Sequence, residues 1–240
     1  MDDLIRYSVI TEKNSREIVL LRGTGCRWRR CRFCDYHLDF SRDTAANTAL
    51  NLAVLAQVTG QYGKLEVINS GSFVDLDPST MDEIERVCAE KHIHTLHFEC
   101  HWRDRDAIDA LRARFAARGV TVRIKIGVES FDADYRETVL VKGIDERDPA
   151  KIAALFDECC LLVGLCGQTA DSMTRDIETG LAHFDRVCVN LMTPNSAPLQ
   201  PDAAVCACFV REVAPRWAND PRVDLLLHNT DFGVGGTEHA

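Results

Sequence analysis

Three cysteines stand close together in the stretch GCRWRRCRFCDYHLDFS (25–41): Cys26, Cys31 and Cys34. Thiols grouped in this way serve a metal, a cluster or thiol–disulfide chemistry. A structural zinc site takes four protein ligands, and His37, three residues past Cys34, could be the fourth. Cys31-Arg-Phe-Cys34 has the spacing of a redox pair, but that leaves Cys26 without a purpose. Three thiolates on one loop also suit a 4Fe–4S cluster, with one iron left open to a non-protein ligand. Spacing alone leaves all three readings open.

The totals narrow the setting. The chain has 240 residues, 11 cysteines and a hydrophobic fraction of 46%. The cysteine count is odd and MDDLIRYSVITEKNSREI is neither a secretory signal nor a basic transit peptide, so a cytoplasmic protein is expected rather than a disulfide scaffold. Cys159, Cys160, Cys166 and Cys188 lie in apolar runs and read as buried small hydrophobes. Cys206 and Cys208 are two apart on an expected helix and so face different ways. No apolar run approaches the roughly 18 residues of a membrane span. The net charge of −9, from 28 basic and 37 acidic side chains, repels a phosphate backbone. Arg27, Arg29, Arg30 and Arg32 cluster locally, but no basic arm is visible. A small-molecule substrate is expected, without membrane or nucleic-acid partners.

Stretches with strand character alternate with amphipathic ones. Strands are expected at 17–23, 64–72, 93–101, 120–130, 159–167, 186–194 and 223–229. Helices are expected at 44–63, capped by Asp43 or Ser41, and at 77–92, 104–119, near 149–158, 171–184 and 201–218. Strands joined through helices run parallel. No Pro-, Gly- or Ser-rich linker divides the chain, so 1–240 reads as one domain behind a short N-terminal extension, 1–16. Small and polar residues gather just after the strands, where β/α barrels keep their chemistry. The expected fold class is therefore α/β, a single-domain partial or nearly closed (β/α) barrel.

A cysteine triplet in the loop after the first strand of such a barrel resembles the radical S-adenosylmethionine (radical SAM) superfamily. The usual spacing there is CxxxCxxC; this chain has CxxxxCxxC, one residue longer. Phe33, before the last cysteine, also matches. The resemblance implies a 4Fe–4S cluster on Cys26, Cys31 and Cys34, with S-adenosylmethionine (SAM) on the open iron. It implies that Ser70, Gly71 and Ser72 meet the methionyl amino group, that Glu129 and Ser130 meet the ribose or carboxylate, and that Gln168, Asn190 and Met192 lie near the adenosyl group. Each of these strand-end residues also has an ordinary reading as a cap or turn. The implied chemistry is reductive cleavage of SAM followed by hydrogen abstraction from the substrate, with electrons from a donor such as flavodoxin or ferredoxin.

The segment CRFCDYHLDFS and the small size are similar to the radical SAM lyases of queuosine salvage, which cleave queuine to the aminomethyl-deazaguanine base. That resemblance implies a C–N lyase acting on a deazapurine or similar base. Candidate substrate-binding residues are Asp35, Tyr36, Asp39, Trp102 and Asn229, with His37, Glu99 and His101 as candidate catalytic groups. Trp102 could instead pack on a helix, and Asp39 could cap one. The alternatives are a radical SAM enzyme for another small molecule, or a non-enzymatic zinc or iron–sulfur protein.

Overall fold

The computed structural model describes residues 4–236. Eight strands follow one another in sequential order: β1 (Tyr7–Ile10), β2 (Arg16–Leu21), β3 (Lys64–Asn69), β4 (Thr95–Glu99), β5 (Thr121–Glu129), β6 (Glu158–Val163), β7 (Arg186–Leu191) and β8 (Val223–Leu226). All seven expected strands are present, and the pairs from β2 to β4 and from β5 to β8 run parallel. The expected α/β fold class, with strands in barrel order, is borne out.

The eighth strand is a correction. Residues 7–10, expected to lie in an extension, form β1, which pairs antiparallel with β2. All four residues of β1 are only half-buried, so the apolar run that announces a central strand is missing.

The helices are α1 (Thr44–Leu55), α2 (Pro78–Glu90), α3 (Ile108–Ala116), the single turn α4 (Ala133–Tyr135), α5 (Pro149–Ala153), α6 (Ala170–His183) and α7 (Ala203–Cys208). Their starts follow local chemistry. Asp43, Asp77, Asp148, Thr169 and Asp202 each accept a backbone N–H of the first turn, and Pro78 and Pro149 open α2 and α5 where no N–H is needed. Their ends follow tertiary contacts. Helix α1 stops eight residues before the expected end at 63. The cause is Glu17, fully buried on β2, whose carboxylate accepts Thr59 N–H and Gly60 N–H, each at 2.7 Å. Gly60 turns there with φ +81°, and a Cβ would strike the Lys91 carbonyl. The helix expected at 201–218 breaks into α7, a π turn at Phe209–Val213 and a 3-10 turn at Ala214–Arg216. Pro215 supplies no N–H to continue it.

By contacts the chain gathers into two compact units. The first holds Met1–Arg27, Tyr36–Ile124 and Phe232–Ala240; the second holds Trp28–Asp35 and Lys125–Asp231. In the first, Leu65, Val67, Leu96, Phe98, Ile84 and Phe115 are all at most 1% exposed, and the Phe98 and Phe115 rings meet at 6.0 Å between centroids. In the second, Cys159, Leu161, Val187 and Val189 pack with Ile177 and Met173 at 0%. Cys159 and Cys188 are buried as expected, but Cys160 is half-buried and Cys166 is exposed. Cys166 lies beyond the end of β6, in the turn to α6, so no strand carries it inward.

The first unit also buries an ion pair. Arg16 Nε on β2 lies 2.5 Å from Glu66 Oε2 on β3, with both side chains at most 2% exposed. Removing one partner of a buried pair leaves a charge without its counterion, at a cost of about 3–5 kcal/mol. Glu66→Ala is expected to lose that much unfolding free energy in urea denaturation; a loss under about 1 kcal/mol would match a surface pair instead.

Candidate functional site

In the first unit, the chain after β2 meets the turn after β3 through Asp75. This residue ends a 3-10 turn, Phe73–Asp75, that begins from Ser72. Its buried carboxylate accepts the Ser72 N–H at 2.9 Å and lies 3.3 Å from Arg27 Nε. Its carbonyl accepts the Thr24 N–H at 3.0 Å. Burial pushes the Asp75 carboxyl above its ordinary range, while the Ser72 N–H and the Arg27 guanidinium pull it back. Two glycines permit these contacts. A Cβ on Gly23 would sit 2.6 Å from the Asp75 carbonyl oxygen; one on Gly71 would strike Asp75 Oδ2 and come within 2.9 Å of Cys26 Cα. Gly71 is thus held against Cys26 by a fit that no side chain allows.

Around that turn, Ser72 Oγ donates to Asp104 Oδ2 at 2.8 Å and accepts the His101 N–H at 2.9 Å. Ser70 Oγ donates to the Asp39 carbonyl at 2.5 Å. The Asp39 carboxylate is bound by both terminal nitrogens of Arg6, at 2.9 and 3.1 Å. Asn69 donates to the Ser72 carbonyl, and its buried Oδ1 has no hydrogen-bond donor among the described residues. Glu99 is half-buried at the end of β4. His101 Nδ1 accepts the Arg103 N–H at 3.3 Å. Trp102 is buried, with the Arg105 guanidinium 4.5 Å from its ring centroid, so its ring is committed to packing. Tyr36 and His37 sit on a 3-10 turn, Tyr36–Leu38, with Tyr36 58% exposed.

The second unit carries the other two cysteines. Cys31 and Cys34 are half-buried and pack against a buried group of Phe33, Leu140, Leu162, Leu165 and Met192. Their segment is tied to residues 140–141: Arg32 N–H donates to the Leu140 carbonyl at 3.0 Å, and Trp28 Nε1 to the Val141 carbonyl at 2.8 Å. Glu129 ends β5 at a register shift, with φ +67°. Its Oε1 accepts from Lys142 Nζ at 2.8 Å. Burial works against the Lys142 charge, but the Glu129 carboxylate, with Cys31 and Cys34 as thiolates, outweighs it and pushes the ammonium's pKa upward.

Other candidates in this unit are held by their own neighbours. Ser130 Oγ donates to Asp176 at 2.8 Å. Gln168 bridges the Leu165 N–H and the Leu162 carbonyl, closing the turn after β6. Asn190 is half-buried near the end of β7, and Met192 is buried just beyond it. Asp35 accepts from Ser196 N–H and Oγ, both at 2.9 Å, and the exposed Asn229 donates to Thr193 Oγ1 at 2.7 Å.

None of the eleven cysteines forms a disulfide. Among the described residues, no three His, Cys, Asp or Glu side chains are gathered as a preformed metal site. The donor chemistry nevertheless fits an iron–sulfur cluster: Cys31 and Cys34 are half-buried and act electrostatically on the Lys142 ammonium, and Cys26 rests on a turn open only to glycine. No helix among the described residues is long and apolar enough to cross a membrane.

No model of a known protein family matches the sequence, and no curated protein matches it either. Solved structures do. A queuine lyase from Clostridium spiroforme, bound to SAM and queuine, is 40% identical, with a TM-score of 0.93 over 97% of this chain and 100% of that one. The chain belongs to the queuine lyase family. Streptococcus suis SuiB bound to its precursor peptide SuiA is 11% identical, with a TM-score of 0.55 over 93% of this chain and 50% of that one. SuiB bound to S-adenosylmethionine is 12% identical, with a TM-score of 0.52 over 87% and 49%. The SuiB likeness is one of fold.

Sequence reasoning missed several residues of this queuine lyase family member that brace the candidate site. Asp75 was legible in principle, because Ser72 and Asp75 have capping-box spacing. Lys142 carried only a weak signal, a lone cation before Gly143 in an irregular segment. Trp28 and Arg27 gave none beyond their place beside the cysteines.

Gly71→Ala in this family member must displace either Asp75 or the Cys26 backbone. Overpacking of this kind costs about 1–3 kcal/mol. A lowered urea midpoint with an unchanged m-value is the expected result; wild-type stability would show that the turn yields freely.

Proposed function

We propose that the chain is a radical SAM queuine lyase that releases the aminomethyl-deazaguanine base from queuine. The observation that carries this reading is the 40% identical, full-length likeness to a queuine lyase bound to SAM and queuine. The cofactors proposed are SAM and a 4Fe–4S cluster ligated by Cys26, Cys31 and Cys34, three thiols on one short stretch of chain with no fourth cysteine nearby. When bound, these cofactors supply an electron that cleaves the sulfonium bond and the hydrogen-atom abstraction that begins the reaction.

The chain's own residues bind and orient. The Gly71 turn offers backbone groups at close range, with Ser70 and Ser72 fixed beside it by Asp39, Asp75 and Asp104. The Asn69 Oδ1 acceptor fits the same amino-group role. Glu129 is proposed to meet the SAM ribose, held by Lys142. Phe33 and Met192 offer apolar walls near the adenosyl group. Ser130 and Gln168 act there by shaping turns, since their side chains are already bonded. Asn190 is proposed to reach the same group. For substrate, Glu99 and Asp35 are the candidate acceptors for ring N–H groups, with His37 and His101 for a hydroxyl or a proton. Tyr36, Asp39 and Asn229 complete the proposed set, and Trp102 serves by packing. The electrons are proposed to come from an external donor such as flavodoxin or ferredoxin, and the place of work to be the cytoplasm.

The test is anaerobic reconstitution followed by incubation with SAM, dithionite and queuine. Mass spectrometry is expected to find the aminomethyl-deazaguanine base together with 5′-deoxyadenosine. Intact queuine, with deoxyadenosine formed no faster than without substrate, would overturn the lyase reading. Cys26→Ala, Cys31→Ala and Cys34→Ala are each expected to lose cluster absorbance and activity; a triple variant that keeps wild-type iron would remove these cysteines as ligands. Glu99→Gln weakens a charge-assisted hydrogen bond worth about 1.5–3 kcal/mol, so KM for queuine is expected to rise about tenfold.

A further inference from the structure

Lys142 lies between two different neighbours in the second unit. On one side its Nζ is 2.8 Å from Glu129 Oε1. On the other it is 5.6 Å from the centroid of Phe33, within cation–π range. Phe33 is the residue before Cys34, and both Cys31 and Cys34 pack against the buried group that contains it. The missing side chain of Gly127 makes room for the ammonium, because a Cβ there would come within 2.8 Å of Nζ.

The segment that carries Lys142 is braced from both directions. Arg136, fully buried, donates to the carbonyls of Ser130, Ile144 and Glu146 at 3.4, 3.2 and 2.6 Å. Glu137 accepts the N–H groups of Gly143 and Ile144 at 2.8 and 3.1 Å. Both residues open a π turn, Arg136–Leu140, which Val141 follows in the left-handed region at φ +56°. A strained backbone of this kind persists only where its surroundings hold it. The cysteine segment is fastened to the same place. Trp28 and Arg32 bond to the carbonyls of Val141 and Leu140, and a Cβ on Gly143 would lie 2.5 Å from the Trp28 ring. The ammonium and the two thiols therefore keep a fixed relation.

We propose that Lys142 and Glu129 form an oriented charge pair, positive end toward Cys31 and Cys34, that sets how readily a cluster on these thiols accepts an electron. This rests on the cluster assignment made under the proposed function. A cluster becomes more negative on reduction, so a fixed cation beside its thiolates favours the reduced form and a nearby anion disfavours it. Lys142 and Glu129 are positioning residues in this respect: they act on the electron's destination through their field.

The two ends of the pair provide the test. Wild type, Lys142→Met and Glu129→Gln are reconstituted with iron and sulfide, without SAM, and titrated by electron paramagnetic resonance against a graded potential. Lys142→Gln replaces Lys142→Met if circular dichroism shows that the latter has not folded. Poised at the wild-type midpoint, the reduced-to-oxidised ratio is expected to fall about tenfold in Lys142→Met, equivalent to about 59 mV for one electron. In Glu129→Gln it is expected to rise. Opposite shifts support the pair, because a merely loosened site would move both variants the same way. Unchanged ratios, or shifts of the same sign, overturn it. A wild-type protein that takes up no cluster overturns the cluster assignment first, and this inference with it.

Discussion

The buried carboxylate of Asp75 is the constraint on which the first half of the candidate site depends. A charge removed from water must find partners, and those partners define a place. The Ser72 N–H draws the turn after β3 inward, and the Arg27 guanidinium ties down the chain after β2. The Asp75 carbonyl adds the Thr24 N–H. Glycines at 23 and 71 are then required, because the fit leaves no room for a side chain. Gly71, pressed against Cys26 Cα, makes the same turn a support for that cysteine.

The second unit reaches the same end by different means. Arg136 satisfies backbone carbonyls with its guanidinium, so a stretch with little regular structure becomes rigid. That stretch holds Trp28 and Arg32 on one side and presents Lys142 on the other. Rigid support for polar groups is what an orienting site requires, since small displacements of a reacting group cost large factors in rate.

The two kinds of structural likeness carry different weight. The match to the Clostridium spiroforme queuine lyase spans both chains at 40% identity and places this protein in that family. The match to SuiB, at 11–12% identity over about half of that protein, is a likeness of fold alone. Folds of this class host many chemistries, and the difference lies in the residues at the strand ends.

The sequence by itself determined the alternation of strands and helices, because burial on two faces of a parallel sheet writes apolar runs into β2 to β8 and caps into the helix starts. It also determined the candidate ligand set, because Cys26, Cys31 and Cys34 are neighbours in the chain. It did not reveal β1, whose half-buried residues carry no strong pattern. It overran α1, because the stop comes from Glu17, some forty residues away, whose buried carboxylate takes the Thr59 and Gly60 N–H groups. It left Trp102 open to stack on a ligand, whereas Arg105 and the core claim that ring. Asp75 joins a local partner, Ser72, to the distant Arg27 and Thr24, and Lys142 and Trp28 matter through partners distant in the chain. Periodicity and spacing report local preference; the pairing of a buried charge is settled only when separate segments meet.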